Sequence, residues 1–396
     1  MSFPPEALSE AERIPEFTGG YEDITNCNAF AADDPEIADP DDAISVEASG
    51  RFYRLGVHIS LVSWFVSKGS VLDEEAARRA VSVYAPGKNT YMFPEGLIRK
   101  RLSLSEERTN PVLTVFVDLD DEGAISKIEM KLAQIRLSAR FTYRELSRLF
   151  KSEQRIRLLY SLSVALAERR ALAGGGLIPI PYLKAYESGG GIVFERVDPD
   201  SPAQVMITEP MILYNQLISR LLAKNGVPGA FRHQLEPHGK PPSPRNPLYP
   251  VKALYALKRS HLSPTPKPHK GLGFPSYLQA TSPLRRFADL INQRQAHALL
   301  EGTEPPYTQE ELEALLPELE RRETEARNAQ REALRGAVVA HLEGKTLLGI
   351  ISNQRKGGLV FLPDYLQQVP LGEEIEGMRE GMRLKVRIKG GKAYRA

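Results

Sequence analysis

Residues 33–44 read DDPEIADPDDAI and place six carboxylates and no cation between positions 33 and 42. Repulsion among so many negative charges is costly unless solvent or a metal ion relieves it, and hard oxygen ligands of this kind suit Mg²⁺. A solvated surface loop is the alternative interpretation, because runs of like charge are usually exposed. The run leads directly into an apolar strand that begins at Ala43, so a rigid element is in place to orient the carboxylates.

Length and composition restrict the classes of protein to consider. The 396 residues are 42% hydrophobic and 26% charged, which excludes a collagen-like, disordered or coiled-coil chain and leaves room for two or three domains. The net charge of +2 predicts neither a polyanion nor a membrane surface as partner. Cys27 is the only cysteine, which excludes an internal disulfide and a thiolate zinc cluster. Without a signal peptide or a long apolar run, the sequence predicts a cytoplasmic protein that does not contact membranes.

Three regions follow from the hydrophobic patterning. Residues 1–28 lack a sustained apolar period and are predicted to be an N-terminal leader lying over the surface, so the first ordered element is expected near Ala43. Residues 29–342 alternate strand and helix patterns and are predicted to form a mixed sheet-and-helix domain. Residues 343–396 contain short strands and glycine turns, the pattern of a small OB-type β-barrel. The predicted fold class is therefore α+β followed by a small barrel.

Four helix starts are predicted from capping residues. Capping boxes at Thr142 and Thr308 predict one helix reaching about residue 170 and another reaching about residue 341, interrupted or kinked near Pro317. A further helix is predicted to begin at Thr208 or Glu209, with a proline in its first turn. The last is expected to have Ser282 as its N-cap.

The stretch TSPLRR, residues 281–286, is a second candidate for chemistry. Guanidinium groups and the N–H groups of a helix start both bind phosphate. A surface ion pair is the alternative role for Arg285 and Arg286. Carboxylates that hold a metal ion, together with a basic phosphate site, are what phosphodiester cleavage requires.

At these residues the sequence resembles the catalytic RNB domain of the ribonuclease II and ribonuclease R family. The resemblance covers about residues 29–342, and the C-terminal segment is similar to the family's OB-type RNA-binding domain. The matching motifs, in order, are Asp33 with Asp39-Pro40-Asp41-Asp42, Gly56-Val57-His58-Ile59, Gly69-Ser70-Val71-Leu72-Asp73, Ser82-Val83-Tyr84-Ala85-Pro86, Phe93-Pro94, and Thr281-Ser282-Pro283-Leu284-Arg285-Arg286 with Arg294.

The resemblance implies a 3′-to-5′ exoribonuclease that hydrolyses single-stranded RNA to nucleoside 5′-monophosphates, with a channel in the RNB-type domain. It implies Mg²⁺ as cofactor, with Mn²⁺ as the alternative. By position, the implied metal ligands are Asp33, Asp39, Asp41 and Asp42, and the implied catalytic residues are Asp41, Arg285 and Arg286. The implied RNA-binding residues are Tyr84, which would stack on a base, and Glu209, Tyr277 and Arg294. A cap, core or packing role is the alternative for the last group. His58 is interpreted as a core histidine.

The chain also departs from the family pattern. Leu61, Thr208, Gln293 and Gln330 replace residues that the family usually has, and the leader is too short for the cold-shock-like domains that family members typically carry. Residues 237–286 contain nine Lys or Arg and no Asp or Glu, and we hypothesise that this basic segment partly substitutes for those domains in RNA binding. With no partner motif, the sequence favours a monomer. Two other functions stay open: an RNA-binding relative with impaired catalysis, and a metal-dependent nuclease that also cleaves single-stranded DNA.

Overall fold

The computed structural model describes residues 2–33, 40–176, 178–239, 242–353, 358–373 and 377–396. Within these ranges, the α-helices are α1 Pro5–Arg13, α2 Val62–Phe65, α3 Val71–Arg79, α4 Glu95–Leu97, α5 Tyr143–Ser152, α6 Gln154–Leu172, α7 Pro202–Lys224, α8 Tyr249–Ala256, α9 Phe287–Glu301 and α10 Gln309–Leu342. The strands are β1 Glu22–Asp23, β2 Phe30–Ala32, β3 Asp42–Ser49, β4 Phe52–Ser60, β5 Val83–Ala85, β6 Lys88–Thr90, β7 Asn110–Leu119, β8 Ile125–Ile135, β9 Ala139–Phe141, β10 Tyr182–Ser188, β11 Gly191–Val197, β12 Phe231–Gln234, β13 Ser260–Ser263, β14 Thr346–Asn353, β15 Leu359–Leu362, β16 Gln367–Pro370, β17 Arg383–Lys389 and β18 Lys392–Arg395. Short turns of other helix types occupy Thr25–Cys27, Ile98–Leu102 and Lys270–Leu272.

A seven-stranded sheet forms the centre of the larger unit, in the order β1-β8-β7-β4-β3-β2-β9. The pairs β1–β8 and β2–β9 are parallel, and the other neighbours are antiparallel. Successive side chains of β4 point to opposite faces of the sheet. Every second residue, Leu55, Val57 and Ile59, therefore packs into the core shared with α5, α6 and α7. The sheet therefore has one face covered by helices, as the α+β prediction requires.

The opposite face of β4 carries a buried histidine. His58 lies 2.9 Å from Ser45 Oγ and 3.0 Å from Thr114 Oγ1, and burial lowers its pKa to about 3, so the ring stays neutral. Gly56 leaves the room that this ring needs, since a Cβ there would contact Ser45 Oγ and lie 2.8 Å from His58 Nε2 and from the Phe116 ring. The interpretation of His58 as a core residue is confirmed by these contacts.

The C-terminal strands form a five-stranded antiparallel sheet in the order β16-β15-β14-β17-β18. A bridge between Leu371 and Ala393 joins its two ends, so the sheet curls into a partly closed barrel. Val338 and Leu342 at the end of α10 pack into its core, and so does Leu183 of β10. This arrangement confirms the predicted small barrel. Among the described residues, no helix combines the length and the apolar character that spanning a membrane requires.

Two predicted helix starts are wrong. Helix α7 begins at Pro202 rather than at 208 or 209, and Pro210 lies inside it. An internal proline costs about 3 kcal/mol, and the burial of residues such as Ala203 and Met206 in the first two turns offsets that cost.

The second wrong start concerns α9, which begins at Phe287 and not after Ser282. Tertiary hydrogen bonds hold the preceding residues in a turn, because the Arg285 carbonyl accepts from Ser82 N–H at 2.9 Å and Phe287 N–H donates to Ala80 O at 2.8 Å. Arg285 and Arg286 therefore precede the helix instead of lying in its first turn.

Both predicted capping boxes are present, at Thr142 and Thr308. The first predicted helix is two helices, α5 and α6, separated at Glu153, whereas α10 continues through Pro317 without interruption. The leader also differs from the prediction, because α1 is already ordered well before Ala43 and buries Ala7 against α3 and α4.

Candidate active site

The candidate site lies at one edge of the large sheet. Strand β2 ends just before Asp33, and the antiparallel strand β3 begins at Asp42. Phe30 of β2 pairs with Ile44 of β3, so Asp33 and Asp41 flank the same end of this strand pair. The predicted ligand Asp39 lies outside the described residues. Asp33, Asp41 and Asp42 all lie near enough to Arg285 to raise its pKa.

Asp41 is the best-anchored carboxylate of this edge. Its side chain is 3% exposed, and its Oδ1 accepts a hydrogen bond from Leu284 N–H at 2.9 Å. Its Oδ2 lies 3.4 Å from Nε of Arg285. Its backbone carbonyl accepts from Ser60 N–H at 2.8 Å, which fixes the start of β3 against the end of β4. Asp41 thus joins the acidic run to the TSPLRR segment.

Arg285 faces the carboxylates while remaining accessible. Its side chain is 42% exposed. Burial opposes its charged form, but Asp41, and then Asp42 and Asp33, raise its pKa, so it stays a cation. An exposed guanidinium held beside carboxylates is suited to contact a phosphate group.

Asp42 differs from Asp41 in its electrostatic environment. Burial raises its pKa to about 6, against the lowering influence of Arg285 and Arg286. A carboxylate that is costly to ionise benefits from an additional cation beside it.

A cavity of about 710 Å³ opens onto this edge and is called the first cavity here. Asp33, Arg285 and Tyr84 all line it. Tyr84 lies on β5, in a short hairpin with β6, and its ring meets that of Tyr91 edge to face at 6.1 Å. The predicted stacking residue, one carboxylate and the exposed arginine therefore share one space.

Sequence reasoning missed the part of the first cavity that β10 forms. Tyr182, Lys184 and Tyr186 of β10 line the cavity, and so does Tyr143. Nζ of Lys184 lies 4.8 Å from the centre of the Tyr143 ring, which is a cation–π contact. Two tyrosines and a lysine within YLKAY are the signal in the sequence that could have identified this segment.

Arg286 points away from the first cavity. Asp289 holds its guanidinium in a bidentate pair, at 2.9 Å from Nε and 2.5 Å from Nη2. It lines a second cavity of about 470 Å³, together with Tyr277, whose hydroxyl accepts from Asn215 Nδ2 at 3.2 Å. Consecutive arginines thus border different cavities.

Glu209 and Arg294 lie in the protein interior, outside the residues that line either cavity. Glu209 pairs with Arg170 at 2.6 Å, and both side chains are buried. Arg294 donates to Asp73 Oδ1 at 2.6 Å, to the Tyr307 hydroxyl and to a backbone carbonyl. This geometry favours the alternative, structural role for both residues, and neither is used in the function proposed below.

Three of the four departures from the family pattern lie away from the cavities. Leu61 is fully buried in the core. Gln293 is buried too, donating to Ser60 O at 2.8 Å and accepting from Ser63 N–H at 3.0 Å. Thr208 lies on α7 and lines neither cavity, whereas Gln330 lines both. Of these positions, Gln330 is the one placed to affect a ligand directly.

The basic segment 237–286 is partly neutralised by acidic residues from elsewhere in the chain. Lys252 pairs with Glu380, and Lys270 pairs with Glu236 at 3.2 Å. The segment is therefore less electropositive than its own composition suggests, and its role in RNA binding stays a hypothesis.

Carboxylates at this edge offer the hard oxygen donors that Mg²⁺ prefers. Within the described ranges, however, no three Asp, Glu, His or Cys side chains form a group that could hold a metal ion. The donor chemistry fits a divalent cation, and a complete ligand set would have to include groups beyond those ranges or supplied by a substrate.

Known proteins resemble this chain in sequence and in fold. An uncharacterized ribonuclease of Synechocystis is 29% identical over 307 residues, covering 74% of this chain and 46% of that protein. Ribonuclease R of Aquifex aeolicus is 27% identical over 414 residues, covering 89% of this chain and 58% of the relative. The chain thus spans about half the length of these relatives.

Two solved structures share the fold at lower identity. Mycoplasma genitalium RNase R in complex with ribose-methylated single-stranded RNA superposes with a TM-score of 0.85 at 20% identity, covering 100% of this chain and 75% of that one. Yeast Ssd1, a pseudonuclease, superposes with a TM-score of 0.72 at 17% identity, covering 97% of this chain and 53% of Ssd1. Residues 21–246 and 239–302 match the RNB domain, and this chain therefore belongs to the RNB domain family.

Proposed function

We propose that this chain is a 3′-to-5′ exoribonuclease that hydrolyses single-stranded RNA to nucleoside 5′-monophosphates. The contact of Asp41 with both Leu284 N–H and Arg285 carries the proposal, because it couples a buried carboxylate to an exposed phosphate-binding cation. Membership of a family whose relatives are named ribonucleases supports the same reaction class.

Each residue of the first cavity has a task in this reaction. Arg285 binds the scissile phosphate and neutralises the charge that builds up on it in the transition state. Asp41 orients the guanidinium, and Asp33 and Asp42 add negative charge at the same edge. Tyr84 stacks on a base near the 3′ end, a contact that tolerates any sequence because every base has a π-face.

The proposal includes Mg²⁺ as cofactor, with Mn²⁺ as the alternative. Asp33, Asp41 and Asp42 would hold the ion together with the sequence-predicted Asp39. When bound, such an ion supplies Lewis-acid chemistry toward water and the leaving oxygen. The sensitivity of the reaction to EDTA tests this part separately.

The test uses a 5′-labelled single-stranded RNA of about 30 nucleotides, with Mg²⁺ or with EDTA. Wild type is compared with Asp41→Asn, since the Asn amide oxygen can still accept from Leu284 N–H and preserve the turn. Asp121→Asn is the matched control, because Asp121 lies in an exposed turn between β7 and β8. We expect a descending ladder with wild type and with the control, and a rate at least about 100-fold lower with Asp41→Asn.

Equal rates for wild type and Asp41→Asn would contradict the proposal. A DNA strand of the same sequence, run in parallel, separates a ribonuclease from a nuclease that also cleaves single-stranded DNA.

A second candidate function is RNA binding without turnover. The likeness to Ssd1 favours it, because a pseudonuclease carries the same fold. Glutamine at position 330, on the wall of the first cavity, supports it as well. RNA that is bound and stays intact with either Mg²⁺ or Mn²⁺ would establish this function instead.

A further inference from the structure

The second cavity has a different character from the first. It contains about 470 Å³ between β12, Arg286 before α9, the 269–279 segment and one side of α10. Both cavities are lined by Gln330, and of the two consecutive arginines Arg285 lines the first and Arg286 the second. This volume is large enough for a small organic anion.

Arg232 on β12 lines this cavity and is 8% exposed. Its Nη2 donates to both carboxylate oxygens of Glu323, at 2.9 and 3.0 Å. Its Nε is buried and has no hydrogen-bond partner among the described residues. A buried N–H of a charged group without an acceptor is costly, so a ligand oxygen that reached Nε would relieve that cost.

The balance of charge around the cavity favours an anion. Three arginines line it, and two carboxylates neutralise two of them: Glu323 pairs with Arg232, and Asp289 pairs with Arg286. Arg327, on α10 at the exposed rim, makes no ion pair within the described residues. The lining therefore carries one formal positive charge in excess.

Neutral donors and an apolar surface complete the lining. Nδ1 of His269 is buried and has no partner within the part of the chain that the structure describes, and burial, together with Arg232 and His233, lowers the pKa of this ring to about 4, so it is neutral. Gln279 and Gln330 add amide donors, while Leu272 and the buried Tyr277 ring add an apolar surface. Such a lining suits a ligand with an anionic group at one end and an apolar ring at the other.

We infer that the second cavity is a binding site for a phosphate-monoester anion, held by Arg232, Arg286 and Arg327. Two sources share this chemistry, a nucleoside 5′-monophosphate and free inorganic phosphate. The mononucleotide would be the product released in the first cavity, and this source rests on the proposed function. The anion site itself does not depend on catalysis.

The experiment measures binding by isothermal titration calorimetry in EDTA and at constant ionic strength, so that hydrolysis plays no part. Adenosine 5′-monophosphate, inorganic phosphate and adenosine are titrated separately into the wild-type chain and Arg327→Gln. Arg335→Gln is the matched control, because Arg335 is exposed on the same helix and does not line the cavity. Because Arg327 makes no ion pair with any described residue, its substitution should leave the fold intact. Equal melting temperatures of the variant and wild type check this.

We expect the monophosphate to bind to wild type and Arg335→Gln with equal affinity, and about tenfold more weakly to Arg327→Gln. Adenosine should not bind measurably. If inorganic phosphate binds with the same dependence on Arg327, the anion alone is sufficient for binding. If inorganic phosphate does not bind, the mononucleotide is the ligand.

Three results would overturn the inference: no binding of either phosphate compound, equal binding of adenosine, or unchanged affinity in Arg327→Gln. A fourth result would also overturn the inference: Arg327→Gln binds an RNA strand more weakly than wild type, while neither the monophosphate nor inorganic phosphate binds to any of the proteins. That result would assign the cavity to the binding of RNA. A wild-type chain that binds phosphate in this way but does not cleave RNA would refute only the proposed function.

Discussion

Replacing Arg294 with methionine separates a structural role from an RNA-binding role at a position where the sequence predicts RNA contact. The guanidinium donates to Asp73 Oδ1 at 2.6 Å, to the Tyr307 hydroxyl at 2.6 Å and to Val66 O at 2.7 Å. Methionine fills much of the same volume but leaves the Asp73 carboxylate and the two other acceptors without these donors. We therefore expect a large loss of stability and little direct effect on RNA.

The magnitude follows from the burial of the pair, whose side chains are 4% and 8% exposed. Removing one partner of a buried ion pair costs about 3–5 kcal/mol, because the remaining charge is uncompensated. An unfolding entropy of about 2.1 cal/mol/K per residue gives about 0.8 kcal/mol/K for a chain of this length that melts as one unit. Arg294→Met should therefore lower the melting temperature by about 4–6 °C.

The assay combines thermal unfolding with RNA affinity, measured by fluorescence anisotropy in EDTA at a temperature where both proteins are folded. Arg99→Met is the matched control, since Arg99 pairs with Glu95 at an exposed i,i+4 position worth about 0.3–0.5 kcal/mol. RNA affinity of the folded Arg294→Met protein should stay within about twofold of wild type, a change below about 0.4 kcal/mol. A tenfold loss of affinity with an unchanged melting temperature would refute the structural interpretation and restore the prediction from the sequence.

Three further predictions concern the scaffold. Burial lowers the pKa of His58 to about 3, below the unfolded value of about 6.5, so the free energy of unfolding should fall by about 1.4 kcal/mol per pH unit as the pH decreases below about 6.5. Urea midpoints measured between pH 7 and pH 5 should depend less on pH in His58→Gln than in wild type. Equal pH dependence in the two proteins would contradict this prediction. Gly175→Ala should destabilise the protein by about 1–3 kcal/mol, because the added Cβ would collide with Leu272 O. Gly176→Ala is the control and should melt like wild type, since there is open space around that position. Identical melting curves for the two variants would disprove the close approach of Gly175 to Leu272. Thr308→Ala removes the N-cap of α10 and should cost about 1 kcal/mol, so an unchanged urea midpoint would show that the cap contributes nothing.

Much of the fold could be predicted from local patterns because those patterns depend on neighbours in the sequence. The capping boxes at Thr142 and Thr308 are satisfied within one helical turn, and both are present. Alternation of Leu55, Val57 and Ile59 decides which face of β4 is buried without reference to any distant residue. The glycine turns and short strands of the C-terminal segment predict the barrel for the same reason.

The positions that sequence reasoning placed wrongly are those where distant contacts override local preference. Ser282 followed by Pro283 has the form of a helix start, but hydrogen bonds from Leu284 to Asp41 and from Ser82 to Arg285 hold a turn instead. Local propensity differences amount to about 1 kcal/mol or less per residue, so two tertiary hydrogen bonds in a buried segment are enough to decide the conformation.

That same override creates the candidate site. In a helix beginning after Ser282, the N–H of Leu284 would lie in the first turn and could bind a phosphate as a helix terminus does. In the turn that forms, this N–H donates to Asp41, and the Arg285 side chain, beside the same carboxylate, is the group to which the proposed function assigns the phosphate. The two adjacent arginines then diverge, because Asp289 holds Arg286 on the far side of the chain. Two adjacent arginines that look like one basic patch in the sequence thus provide one cation to each of two cavities. Asp41 and Asp289, carboxylates that lie 248 positions apart, decide this arrangement by holding the two side chains in different places.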